Sequence, residues 1–406
     1  MFIAVDLDSS GLSVYASIST IQKQNMKIGI VCYPTYGGSG VLATELGIGL
    51  ANHGYEVHFI TYQKPVRLSS FHQNVYFHEV EQVDYPLFEY APYESALASK
   101  MVDVVRYEKL DILHVHYAIP HATVAYLSKQ ILARHGIRIP VITTLHGTDI
   151  TLVGINKTFT PIIEFSIDAS DGVTAVSNDL MRQTMENFDI QHEIRVIHNF
   201  INFNRFRKSN KDHFRKAIAP NGEKIITHTS NFRPVKRVGD VVDVFARITK
   251  VLPAKLLLIG DGPMRSELEE RARKCPQYEN IRFLGKQDAV EEILAISDLF
   301  LMPSEKESFG LAALEAMACE VPVISSNAGG IPEVNIDGVT GFLSDIGDVD
   351  SMAKNALKLL QDDQLLHQFR ENALMQARKF DIDRILPQYI KYYEEIIDKV
   401  SAEQVI

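Results

Sequence analysis

Glu307 and Glu315 stand eight residues apart across what reads as a strand-to-helix turn. Two carboxylates so placed can each accept a pair of hydrogen bonds from a vicinal diol. Leu299 to Met302 is a short apolar run that suits a strand. Pro303 and Ser304 break it, and Gly310 to Ala318 carries small and apolar residues at helical spacing. The helix start then lies at the mouth of a sheet, where its unpaired amides, with roughly half a unit of positive charge, face whatever fills the cleft. A sugar nucleotide fits that arrangement: Glu315 on the helix could meet a ribose and Glu307 in the loop a hexose. Taken alone, the pair is explained equally well as solvated charges at a helix N-terminus.

Other segments carry chemistry of the same kind. Gly37-Gly38-Ser39-Gly40 follows the first strand candidate and opens a helix, so its amides can approach a phosphate or an acceptor unobstructed. The spacing is not the G-x-G-x-x-G of a dinucleotide site, and glycines in such a turn more often serve the turn itself. His146 ends the apolar run Val141 to Leu145 and is followed by Gly147, Thr148 and Asp149; it can hydrogen-bond a sugar or an acceptor, or act as a cap beside a turn. Arg233, Lys236 and Arg237 form a basic segment that is either an anion site or a solvated face. His114 and His116 alternate on a strand with His121 close behind, residue types a metal accepts. No acidic residue follows at a ligand spacing, so they read as satisfied strand-end histidines and no metal is expected. Asp348-Val349-Asp350 and Asp381-Ile382-Asp383 have the D-x-D form of metal-dependent transferases, but each precedes a helical run and reads as a cap.

The elements that must position these residues repeat one rhythm twice. Lys27 to Cys32, Glu56 to Thr61, Ile112 to His116, Val141 to Leu145, Gly172 to Val176 and Arg195 to Ile197 are parallel-strand candidates. Helical stretches such as Val41 to His53, Tyr93 to Tyr107 and Thr123 to Arg134 separate them. A second set follows: Lys224 to His228, Lys255 to Ile259, Ile281 to Leu284, Leu299 to Met302 and Val321 to Ile324. The expected class is α/β, two Rossmann-like doubly wound parallel-sheet domains facing across a cleft, with ligands at the carboxyl ends of both sheets. Residues 1–25 read as an extension without inferred function, 26–200 as the first domain, 201–380 as the second, and 381–406 as a helix.

Composition narrows the classes. The 406 residues carry a net charge of −10, which argues against a nonspecific nucleic-acid binder. Cys32, Cys275 and Cys319 are an odd set without metal spacing, as expected of thiols in a reducing cytosol. No apolar run reaches the roughly twenty residues that span a bilayer, so a cytoplasmic protein is expected. Nothing settles oligomeric state, and a homo-oligomer stays open.

Glu307 and Glu315, with Ser308-Phe309-Gly310 between them, resemble the E-x7-E signature of retaining glycosyltransferases of family 4. The resemblance runs from Met26 over nearly the whole chain. It takes in Gly37 to Gly40, His146 to Asp149, Ala175-Val176-Ser177, Asn231 to Arg237, Gly260-Asp261-Gly262-Pro263 and Gly329-Gly330-Ile331-Pro332-Glu333. It implies the GT-B fold, with the final helix crossing back to the first domain. Cys32-Tyr33-Pro34, His114 to His121, Thr143 to Asp149 and Ser304 to Gly310 more closely resemble the members that glycosylate L-malate in bacillithiol biosynthesis.

The resemblance implies transfer of N-acetylglucosamine from UDP-N-acetylglucosamine to the hydroxyl of L-malate, with retention and without a cofactor or metal. Catalysis would fall to Glu307, His146 and Lys236, the last at the position of the family's diphosphate-binding lysine. Donor contacts would come from Gly38, Ser39, Arg233, Lys236, Gly285, Lys286, Ser308, Phe309, Gly310, Leu311 and Glu315. Acceptor contacts would come from Ser39, Tyr117, Thr144 and His146. Many relatives carry an arginine where Asn231 stands, a charge that Arg233 or Arg237 would replace. Nothing local singles out Arg67 or Lys100 for the malate carboxylates. Three rivals remain: another acceptor (sugar, inositol or lipid), a nonhydrolysing sugar-nucleotide epimerase of similar architecture, and a nucleotide-sugar sensor without turnover.

Overall fold

The computed structural model describes residues 26–35, 37–68, 71–81, 92–152, 154 and 156–403, so the extension 1–25 lies outside the described residues. The first sheet holds β1 (Lys27–Val31), β2 (Glu56–Thr61), β3 (Val75–Glu79), β4 (Ile112–His116), β5 (Val141–Leu145), β6 (Gly172–Ala175) and β7 (Ile194–Val196). Their order is β3-β2-β1-β4-β5-β6-β7, every pair parallel. The second holds β8 (Lys224–Thr229), β9 (Ala254–Ile259), β10 (Ile281–Gly285), β11 (Leu299–Met302), β12 (Val323–Ser326) and β13 (Gly341–Ser344), in the order β10-β9-β8-β11-β12-β13. β4 and β5 are buried along their whole length, as parallel strands covered on both faces must be, which explains their continuous runs.

Two strands were not expected from the sequence. β3 (VYFHE) has no fully buried residue, and β13 (GFLS) is four residues long and half-buried at its centre. Both are sheet edges, with one neighbour each. Edge strands need little apolar pattern, because one side of their ladder and part of their faces meet solvent.

Four helices bear on the site: α1 (Gly38–Asn52), α2 (Asn178–Asn187), α3 (Leu311–Ala318) and α4 (Ile382–Ala402). α4 crosses back and buries Ile382, Ile385, Leu386, Tyr389, Tyr392, Tyr393 and Ile396 in one core with Ile28, Leu46, Leu50 and Phe59 of the first domain. Where the chain passes between domains the two segments pair. The Ile201 amide donates to the Phe380 carbonyl at 2.9 Å, and the Ile382 amide to the Ile201 carbonyl at 3.0 Å. Both D-x-D segments cap helices, Asp348 accepting from the Ser351 amide at 2.9 Å and Asp381 from the Asp383 amide at 3.2 Å. Among the described residues no helix is long and apolar enough to cross a membrane.

Candidate active site

In each sheet the strand order reverses beside the first strand of the domain, β1 or β8. Loops leaving the carboxyl ends of those strands and their neighbours open onto one interdomain cleft of about 1890 Å³. The loop after β11 carries Glu307, and α3 carries Glu315. Gly310 joins them at φ +97°, a left-handed conformation that glycine adopts without strain. Lys236, in a single turn after β8, donates to both oxygens of Glu307 at 2.7 and 2.8 Å. The loop is braced from behind: a Cβ on Gly329 would stand 2.0 Å from the Glu307 carbonyl oxygen.

Glu315 lies deeper. Burial pushes its carboxyl up to about 7, against the pull of Arg67 and Arg205. Arg67 stands 3.8 Å from Glu315 and 3.3 Å from Glu45 on α1, so one guanidinium joins carboxylates of both domains. The sequence offered no signal for it, since its partners are remote along the chain. Lys100 lies on the helix Tyr93–Glu108 and does not line the cleft.

The facing wall comes from the first domain. Ser39 Oγ and Tyr117 Oη lie 2.5 Å apart, and the Tyr117 ring sits 5.2 Å from that of His146. Burial pushes the Tyr117 phenol up to about 12, so it stays protonated. The Asp149 carboxylate accepts from the Ala118 amide at 2.8 Å and the Gly147 amide at 3.1 Å, fixing the His146 loop to the loop after β4. Domain closure is a direct contact. Ser177 Oγ donates to the Ser308 carbonyl at 2.5 Å, and a Cβ on Gly147 would meet Ser308 Oγ at 1.7 Å. Beside it, Glu333 of the second domain accepts from the amides of Asn178 (3.0 Å) and Asp179 (2.9 Å) at the start of α2, and from His198 Nε2 at 3.0 Å. Burial alone would raise its pKa; these hydrogen bonds prevail and hold it down to about 2.

Of the residues anticipated from the sequence, Gly38, Ser39, Tyr117, His146, Arg233, Lys236, Lys286, Glu307, Ser308, Phe309, Gly310, Leu311 and Glu315 line this cleft. Two do not. Thr144 is fully buried on β5, bonded to His114 Nε2 at 2.6 Å and Thr174 at 2.7 Å, so it supports the wall from behind. Gly285 ends β10, leaving Lys286 and Gln287 to face the cavity. Arg237 turns to Asp240 at 2.7 Å, whereas Arg233 lines the cleft beside Asn231. His114 is bonded at both ring nitrogens, the second to Tyr393 Oη at 2.7 Å. The grouping of metal-ligand types among the described residues is instead Glu56, His58 and Glu108, where Lys27 Nζ already holds Glu56 at 2.5 Å.

Two facing parallel-sheet domains with a carboxylate-and-lysine pair across from hydroxyl and imidazole groups define a GT-B glycosyltransferase, and the chain belongs to that class. Residues 36–205 match the family model Glycosyltransferase Family 4, and residues 209–376 match Glycosyl transferases group 1. The chain is 48% identical over 374 residues to the N-acetyl-alpha-D-glucosaminyl L-malate synthase of Bacillus anthracis, an alignment covering 92% of this chain and 97% of that protein. Among solved structures, Anabaena Alr3699/HepE in complex with UDP and glucose superposes with a TM-score of 0.76 at 20% identity, over 91% of this chain and 99% of that one. Sucrose-phosphate synthase from Thermosynechococcus elongatus gives 0.75 at 19%, over 92% and 100%. At such identities these two likenesses speak for the fold.

Proposed function

We propose that the protein transfers N-acetylglucosamine from UDP-N-acetylglucosamine to the hydroxyl of L-malate with retention at the anomeric carbon, the first step of bacillithiol biosynthesis. The observation that carries this reading is the Lys236–Glu307 pair facing Ser39, Tyr117 and His146 across one cleft. The acceptor is taken from the Bacillus anthracis relative, whose name specifies L-malate.

In this reading Lys236 and Arg233 hold the diphosphate with the amides at the start of α3, so negative charge developing on the leaving group meets fixed positive groups. Glu307 orients hexose hydroxyls and Glu315 the ribose. The bond from the anomeric carbon to the diphosphate breaks, a bond to the malate oxygen forms on the same face, and the hydroxyl proton passes to a diphosphate oxygen. The acceptor approaches along Ser39, Tyr117 and His146. Proximity and electrostatic preorganisation supply the rate enhancement, with no covalent enzyme intermediate. The substrates supply the chemistry, and no metal or cofactor is assigned.

The test is UDP release from UDP-N-acetylglucosamine by protein starting at Met26, with and without L-malate, each with and without EDTA. Malate-dependent, EDTA-insensitive release is expected. Release without malate would point to another acceptor or an epimerase, binding without turnover to a sensor, and loss in EDTA would overturn the metal-free assignment.

A further inference from the structure

Behind the acceptor wall lies a row of imidazoles that the mechanism above does not use. His116 is 2% exposed; its Nδ1 sits 2.7 Å from His146 Nε2, while its Nε2 is buried without a partner. The His114 ring stacks on it at 4.5 Å, and His114 is locked in place by Tyr393 and Thr144. The His116 carbonyl accepts from His121 Nδ1 at 2.6 Å, so the strand end is held as well.

Burial keeps these rings neutral, with neighbouring imidazoles adding to the effect. His116 lies well below the ordinary histidine range, and His114 and His146 are brought down to about 3. A neutral imidazole has one N–H and one bare nitrogen. Were the His116 proton on Nε2, a buried N–H would face no acceptor, the rarer and costlier deficit. With the proton on Nδ1, it is shared with His146, and only a bare ring nitrogen is left buried without a partner.

The geometry points to His116 as a positioning residue: its Nδ1–H donates to His146 Nε2 and fixes His146 as the Nδ1–H tautomer. His146 then offers the cleft a donor and cannot take a proton there. Applied to the transferase reading, on which its functional meaning rests, this makes His146 a hydrogen-bond donor to a substrate oxygen. The acceptor proton is left to the diphosphate. His146 lines the cleft, whereas His116, His114 and Thr144 stand behind it.

The experiment is long-range ¹H–¹⁵N NMR of the full chain labelled at histidine, at about pH 7 and without substrate. The His146 signals are assigned by their loss in His146→Gln. A protonated Nδ1 and a bare Nε2 are expected; an Nε2–H ring or a mixture overturns the proposal, and this measurement needs no folded variant of His116. His116→Phe keeps a ring against His114 but has no donor. It should release the tautomer toward Nε2–H and lower kcat for UDP release about 10- to 100-fold, with donor KM little changed. His116→Gln, whose amide can donate, should recover most of that loss. If His116→Phe loses activity while the His146 tautomer stays fixed, the role is packing and the proposal fails. Malate-independent UDP release would sink the acceptor assignment and leave the tautomer result untouched.

Discussion

Lys236 Nζ lies within 2.8 Å of both carboxylate oxygens of Glu307, although the two residues come from loops behind different strands, β8 and β11. In the free protein each is the other's counter-ion. Donor binding gives Lys236 a diphosphate to face and frees Glu307 for sugar hydroxyls. Lys236→Ala and Glu307→Ala should each lower kcat/KM by about 10²- to 10³-fold. The double variant should lose less than the product of the two, a coupling of about 1–3 kcal/mol in a double-mutant cycle on UDP release. Wild-type turnover in Glu307→Ala would remove that residue from the mechanism.

Gly147 is one of the points where the domains touch, with φ +104° and Ser308 Oγ where a Cβ would go. Gly147→Ala should therefore hold the cleft ajar. The expected result is a fall in kcat of about 10²-fold, as for a displacement of roughly 1 Å at a reacting centre. A far-ultraviolet spectrum like the wild type and a larger radius of gyration by X-ray scattering should accompany it. A fully active Gly147→Ala would show that the contact is not needed.

Glu315 gives pH dependence with a definite sign. Its carboxyl titrates at about 7 in the folded protein against an ordinary 4.5, so between those values the folded state holds a proton the unfolded chain has released. Stability should decline as pH climbs through that window, by about 3 kcal/mol in all. Glu315→Gln should flatten the decline in urea unfolding. An ionised carboxylate accepts ribose hydroxyls at both oxygens and protonation turns one of them into a donor, so donor KM should rise below about pH 7, by up to about tenfold per pH unit. Identical pH curves for Glu315→Gln and wild type would refute both expectations.

Glu333 behaves in the opposite sense. Held ionised down to about 2 while its unfolded carboxyl protonates near 4.5, it contributes stability that is present above 4.5 and lost on acidification toward 2. Solvent reaches this group, so Glu333→Gln should cost only about 1 kcal/mol at neutral pH. The loss should shrink in acid, because the wild type then loses the same charge. Thermal unfolding at several pH values reads this directly. A cost that does not change with pH would assign the effect to packing rather than to charge.

Much of the architecture could be read from the chain by itself. β2, β4, β5 and β11 fall on the residues expected, because parallel strands covered on both faces are largely apolar, and buried polar residues on them such as His114 and Thr144 pair with each other. Glu307 and Glu315 stood out because a strand, a break and a helix in immediate succession set their separation locally. Both D-x-D segments were recognisable as caps for the same reason: the partner amides lie within three residues.

What only tertiary structure decided involves residues far apart in sequence. Arg67 reaches Glu315, Glu333 reaches α2, and Tyr393 reaches His114, pairings that no local pattern encodes. Thr144 and His146 sit two residues apart at one strand end, yet the first is sealed behind the wall and the second lines the cleft. Sequence specifies which residues can form a strand, a turn or a cap, since those are set by neighbours along the chain. Which face of the turn meets the cleft, and which carboxylate finds which cation, depends on how two domains close on one another.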